Sequence, residues 1–255
     1  MKPCIAAVVF VACVEIAVCA SATTVVVYRT TTEVTVGADS LVVGSDHCPV
    51  AMACKVRPCG DVFAAWSGTY TAYGFDYESV SQFVCRPGVD LFRIGDDFRR
   101  LMDANMGFVI GRALPWSPAM QRRISKGEPI IEVVFFGVDG PEAATFIFQR
   151  VFGIEQDGEW TAVTETYPCF RCNDARPTAF AFGVVKAIGD FGINPLQQGG
   201  NAVSLINRWI GAEIERSPSE VGGPVDIVSV RATGAHWDQR KAECRDDGRA
   251  SQSSP

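Results

Sequence analysis

The chain has 255 residues, 47% of them apolar, and a formal net charge of −6. That length can bury one sizeable core. With no basic patch, it argues against nucleic acid and acidic membrane surfaces as partners, and no heptads or tandem repeats divide it.

In chain order, Lys2 gives a thin positive start, Cys4 to Cys19 is mostly apolar, and Ala20-Ser21-Ala22 has the small-x-small form of a signal-peptidase site. The run carries Glu15 and is too short and too poorly flanked for a membrane span. Residues 1–22 therefore read as a signal peptide and the mature protein as exported, either periplasmic or secreted. A lipoprotein cut before Cys19 is the competing reading. Ile16-Ala17-Val18 fits it poorly, because a small residue is expected directly before that cysteine, and lipidation there would leave Thr23 internal. Cleavage after Ala22 instead makes Thr23 the first residue. A free α-amine, with a pKa of about 7.7–8.0, can then take the proton of its own side-chain hydroxyl. The plainer reading of Thr23 is a β-branched residue opening a strand.

Thr24 to Tyr28 is a β-branched run, Arg29 to Thr32 a turn, and Glu33 to Ala38 a return strand. A hairpin centred on Thr31 places Asp39 opposite Thr23. Ser40 to Gly44 continues, a turn centred on His47 follows, and Val50 to Val56 returns, so Lys55 comes opposite Asp39. A third turn at Pro58 to Asp61 feeds the buried strand Val62 to Trp66, whose far end, Ser67-Gly68-Thr69, falls near Lys55. Three reversals thus gather Thr23, Asp39, Lys55 and Gly68. The set is chemically coherent. A lysine cation lowers the pKa of a neighbouring amine, an aspartate fixes that lysine by a charge-assisted hydrogen bond, and a glycine N–H can face a developing oxyanion. Taken singly, Asp39 and Lys55 also read as an ordinary ion pair at a sheet end, and Gly68 as a strand-ending turn.

Gly74 to Phe83 and Asp90 to Ala104 have helical spacing, the second with Leu91, Ile94, Phe98, Leu101 and Met102 on one face. Pro115 to Lys126 reads as a shorter helix, and Ile130 to Val138 with Ala143 to Arg150 as a hairpin. A strand follows around Trp160 to Thr166, then helices over Pro177 to Phe191 and Gly200 to Glu215. Strands over Val225 to Val230 and Ala235 to Trp237 close the fold. Residues 23–240 form one domain and 241–255 a polar, disordered tail.

Of ten cysteines, Cys4, Cys13 and Cys19 precede the cleavage site, leaving Cys48, Cys54, Cys59, Cys85, Cys169, Cys172 and Cys244, an odd number. Export favours disulfides, and Cys48, Cys54 and Cys59, clustered around two turns, are the natural candidates. Cys169-Phe170-Arg171-Cys172 has CxxC spacing, open to a disulfide, a redox pair or zinc, the last needing two further ligands.

Thr23-Thr24-Val25-Val26-Val27, Val36-Gly37-Ala38-Asp39-Ser40, Lys55 and Ala65-Trp66-Ser67-Gly68 together resemble the N-terminal half of proteasome β-type subunits, which are N-terminal-nucleophile hydrolases. That family has an aspartate sixteen residues, and a lysine thirty-two residues, after its catalytic threonine. Asp39 and Lys55 stand at those offsets from Thr23. Gly68 matches the family's oxyanion glycine, with one residue fewer after the lysine. The resemblance is strong before Gly68 and looser to about residue 238. It implies an α+β fold, a four-layer αββα sandwich of two stacked antiparallel sheets, with no cofactor or metal. It also implies a peptide or small amide substrate and a homo-oligomeric assembly. The second half departs from the pattern. The family's serine before a Gly-Gly pair, and its aspartate three residues earlier, fall on Val221 and Pro218. Its other auxiliary serine has no match, with Thr164 or Thr166 as nearby candidates. Two functions follow: an exported N-terminal-threonine hydrolase of amide or peptide bonds, or a catalytically silent binding or structural module on the same fold.

Overall fold

The computed structural model describes residues 19–21, 23–43, 49–139, 143–169, 177–190 and 201–244. The expected signal segment up to residue 18, Ala22, the turn around His47, and Cys172 lie outside them. The fold is α+β. Among the described residues, two antiparallel sheets form, one of nine strands and one of five.

The smaller sheet grows from the first hairpin, β2 (Thr24–Arg29) and β3 (Glu33–Ala38). Its valines are buried on both faces, which is why the run is continuously apolar instead of alternating. Val25 and Val27 pack in a cluster that also holds Ala65, Val134 and Phe136 of the larger sheet. Val26, pointing the other way, joins Ile206 and Ile210 of a helix. Each such buried valine contributes about 1.5–3 kcal/mol.

The larger sheet contains β1 (Cys19–Ser21), β4 (Leu41–Val43), β5 (Pro49–Met52), β6 (Val56–Cys59), β7 (Val62–Ala72) and β8 (Phe75–Asp76). Two helices follow, α1 (Tyr77–Val84) and α2 (Leu91–Ala113), then α3 (Pro118–Ser125). In α2 the Asp90 side chain accepts the Arg93 N–H, an N-cap. Ile94, Phe98, Met102 and Met106 recur every fourth residue and are buried, Phe98 packing edge-on against Phe135. The sheet is completed by β9 (Ile131–Asp139), β10 (Ala143–Gln156) and β11 (Glu159–Pro168).

The chain then returns to the smaller sheet. β12 (Thr178–Gly183) pairs with β2, α4 (Lys186–Asp190) and α5 (Ala202–Arg216) follow, and β13 (Asp226–Arg231) and β14 (Gly234–Gln239) line up beyond β3. None of the helices among the described residues is long and apolar enough to cross a membrane.

Four expectations change. The helix expected over Pro177 to Phe191 is a strand followed by a short helix, because the edge of β2 needs a partner and Thr178 to Gly183 supplies one residue for residue. The strand expected over Val50 to Val56 is broken at 53–55. The strand beginning at Val62 does not end at Trp66 but runs to Ala72, since β9 and β1 continue to flank it. The first residues of the tail expected from 241 are ordered into the fold: Lys241 and Cys244 are buried, and Cys244 is bonded to Cys54, while residues 245–255 lie outside the described residues.

Candidate active site

The β2–β3 hairpin pairs Val25 with Ala38, so Asp39 comes opposite Thr24, one residue from the expected register. Asp39 N–H donates to the Thr24 carbonyl at 3.3 Å, and Thr24 N–H donates back to Asp39 Oδ1 at 3.0 Å. Thr24 Oγ1 donates to the Val184 carbonyl at 2.6 Å. Thr23 itself is fully buried. Its carbonyl accepts the Val184 N–H at 2.8 Å and the Ser67 hydroxyl at 3.3 Å. Position 23 is thus gripped through its carbonyl by groups from β7 and from the end of β12. In the uncut chain its nitrogen is the amide that follows Ala22.

Asp39 and Lys55 meet as expected. Lys55 Nζ lies 3.4 Å from Asp39 Oδ1 and also donates to the Leu41 carbonyl. Asp39 Oδ2 accepts the N–H of Leu41 at 3.1 Å and of Gly222 at 3.0 Å. Both side chains are about 1% exposed or less. Burial of two charges is costly, and it is offset only when every lone pair and proton finds a partner; here the carboxylate has three backbone donors and one ammonium. Burial lowers the Lys55 pKa from 10.5 to about 8, against the pull of Asp39. Burial also pushes the Asp39 carboxyl up, against Lys55 and those three N–H groups. Lys55 is therefore a buried cation that loses its proton well below the usual lysine range.

Gly68 lies within β7, opposite Ser21 of β1 on one side and Ile131 of β9 on the other. Its φ is +107°, and a Cβ there would stand 2.2 Å from the Ile130 carbonyl oxygen. Only glycine fits this kink. Across the site, Gly183 has φ +85° and a Cβ there would stand 1.9 Å from the Thr23 carbonyl oxygen. The Gly183 N–H donates to Glu132 Oε2 at 3.0 Å. Glu132 is buried, which raises its pKa, with Arg123 and Arg150 opposing that rise.

The segment Cys19–Ser21 lies between two strands of the larger sheet. β1 pairs antiparallel with β7 on one side and with β4, through Ala20 and Val43, on the other. It joins β4 and β5 to the rest of the sheet.

Asp39 thus meets Lys55 and bonds Thr24, the neighbour of Thr23, while Thr23 bonds Ser67, the neighbour of Gly68. The sequence assigns no role to Ser67, and Gly183, Glu132 and Asp226 stand outside its motifs. A lone carboxylate inside each of the apolar strands Ile131-Glu132-Val133 and Val225-Asp226-Ile227 was the available signal. Thr164 and Thr166 do not fill an auxiliary role: both lie on β11, where the Thr164 N–H bonds Asp103 and the Thr166 hydroxyl meets Gln149. The residue that follows Gly183 and meets Thr23 is Val184, and the one preceding Gly222 is Val221, fully buried.

The cysteines pair differently from expectation. Cys54 bonds Cys244 and Cys59 bonds Cys85, so neither joins Cys48, which lies outside the described residues. The turns bring Cys54 and Cys59 near each other in sequence, but tertiary packing presents each with a different neighbour. Cys169 is disulfide-bonded, which removes it as a zinc thiolate. Among the described residues no cluster of three or more metal-ligating side chains occurs. No protein-family model and no curated protein matches the chain.

Proposed function

We propose that the processed chain is an exported N-terminal-threonine hydrolase of amide or peptide bonds, a four-layer αββα sandwich of the N-terminal-nucleophile, proteasome β-subunit-like type. The observation that supports this reading is the buried Asp39–Lys55 pair, with Asp39 bonded to Thr24 beside Thr23 and Thr23 bonded to Ser67 beside the kinked Gly68.

Cleavage after Ala22 frees the Thr23 amine. The hydroxyl attacks the substrate carbonyl and gives its proton to that amine. The tetrahedral oxyanion is met by the Gly68 N–H. The amine then returns the proton to the leaving nitrogen, and water hydrolyses the resulting ester by the same route. Lys55 holds the amine's pKa down while charged, and Asp39 with the Leu41 carbonyl fixes Lys55 in place. Removal of β1 leaves the facing edges of β4 and β7 as a slot for an extended peptide, which makes main-chain bonds a source of affinity.

The silent-module reading is favoured by one feature. Val221 and Pro218 stand where the resemblance calls for a serine and an aspartate, and Val221 is fully buried. A reagent with two adjacent electrophilic centres, such as a peptide epoxyketone, separates the two. It can close a ring only on a residue that carries both a free amine and a hydroxyl. Mature wild-type protein should be labelled once, at Thr23. Thr23→Ser should still react, whereas Thr23→Ala and uncut protein should not. If a panel of such reagents and amide substrates leaves correctly processed Thr23 untouched, the silent module is the right reading.

A further inference from the structure

We propose that Lys241 is a positioning residue for Lys55, and that the Cys54–Cys244 disulfide is the clasp that installs it. The functional meaning of this assignment rests on the hydrolase reading above.

Lys241 is 5% exposed. Its backbone N–H donates to Asp226 Oδ1 at 2.8 Å, and its Nζ lies 3.2 Å from Asp226 Oδ2. The same Nζ donates to the carbonyl of Ala53. Ala53 N–H in turn bonds the carbonyl of Ser40, the neighbour of Asp39, at 2.8 Å. Two residues on from Ala53 is Lys55, which reaches back to Asp39 and the Leu41 carbonyl. Asp226 pairs in register with Ala38, one residue before Asp39. Two buried cation–carboxylate pairs therefore lie side by side, Asp39–Lys55 and Asp226–Lys241.

Residues 53–55 belong to no strand, so sheet pairing does not fix them. They are held instead by the Ala53 N–H on the Ser40 carbonyl, by Arg57 Nε on the Cys54 carbonyl at 2.9 Å, by the link from Ala53 to Lys241, and by Cys54 bonded to Cys244, whose N–H donates to the Lys241 carbonyl at 3.2 Å. The charges acting on Lys55 are Asp39, which follows β3, and Lys241 from the C-terminal segment, itself paired with Asp226 of β13. The Lys241 cation opposes protonation of Lys55. In a reducing compartment the disulfide does not form, so the segment bearing Lys55 is completed only after oxidation.

The test follows the lysine side-chain titrations by NMR in wild-type mature protein, Lys241→Met, Cys54→Ser/Cys244→Ser and, as a control, Cys59→Ser/Cys85→Ser. Loss of the nearby cation or of its clasp should move the Lys55 midpoint upward by about half a pH unit or more, while the control stays at the wild-type value. A more fully charged Lys55 holds the amine's pKa down, so epoxyketone labelling of Thr23 should be no slower in the first two variants than in wild type. If Lys241→Met does not fold, Asp226→Asn/Lys241→Met, which orphans no charge, takes its place with the same expectation. An unmoved Lys55 titration in both the lysine and the disulfide variants overturns the proposal. Movement of Lys55 in a protein whose Thr23 never reacts supports it and refutes the hydrolase reading alone.

Discussion

Lys55 offers a test that needs no substrate. Burial lowers its pKa from 10.5 to about 8, so the folded chain holds the ammonium proton less tightly than the unfolded chain does. Below about pH 8 both states are protonated and the folded state carries the whole penalty. Between about 8 and 10.5 the unfolded state binds more protons, and unfolding free energy rises with pH. Above that window both states are neutral and the penalty is gone. At about 1.4 kcal/mol per pH unit, the rise from this one group is ~3 kcal/mol. The comparator is Asp39→Asn/Lys55→Met, which removes both charges together so that neither is left buried alone. Urea denaturation of the two proteins across that window measures the difference. Wild type should gain ~3 kcal/mol relative to the double variant as pH rises. Parallel curves would refute the claim that Lys55 is a buried, depressed lysine, and with it the premise that a tunable cation sits beside Thr23.

Gly68→Ala should lower the melting temperature by several degrees, since a Cβ would meet the Ile130 carbonyl oxygen at 2.2 Å and strain of this kind costs about 1–3 kcal/mol; an unchanged melting curve would show that the kink is not required. Peptide mapping without reduction should find Cys54 joined to Cys244 and Cys59 to Cys85, and a Cys48–Cys54 or Cys48–Cys59 peptide in their place would contradict the packing around residues 53–59. N-terminal sequencing of exported protein should give Thr23 first; a lipidated Cys19 would remove both the free amine and the mechanism.

The sequence by itself determined the central strands and that Asp39 and Lys55 would meet. Val25, Val26 and Val27 can only be buried, and a β-branched run that short is a strand. Chain reversals of nearly fixed length then carry Asp39 and Lys55 back towards Thr23. The register came out one residue away, with Thr24 opposite Asp39, because turn geometry, which hydrophobicity does not encode, sets where pairing begins. Thr178 to Gly183 was illegible for a related reason. Thr-Ala-Phe-Ala-Phe followed by Gly-Val-Val-Lys-Ala admits a helical and a strand reading, and the open edge of β2 decided between them. Partners far apart in the chain were beyond any local pattern. Cys54 and Cys244 are separated by 190 residues, and their bond follows from where β5, β6 and the C-terminal segment pack. Lys241, in a stretch that reads as a solvated polar tail, is drawn inside because Asp226 and the Ala53 carbonyl need a buried cation, and that need exists only once both sheets are in place.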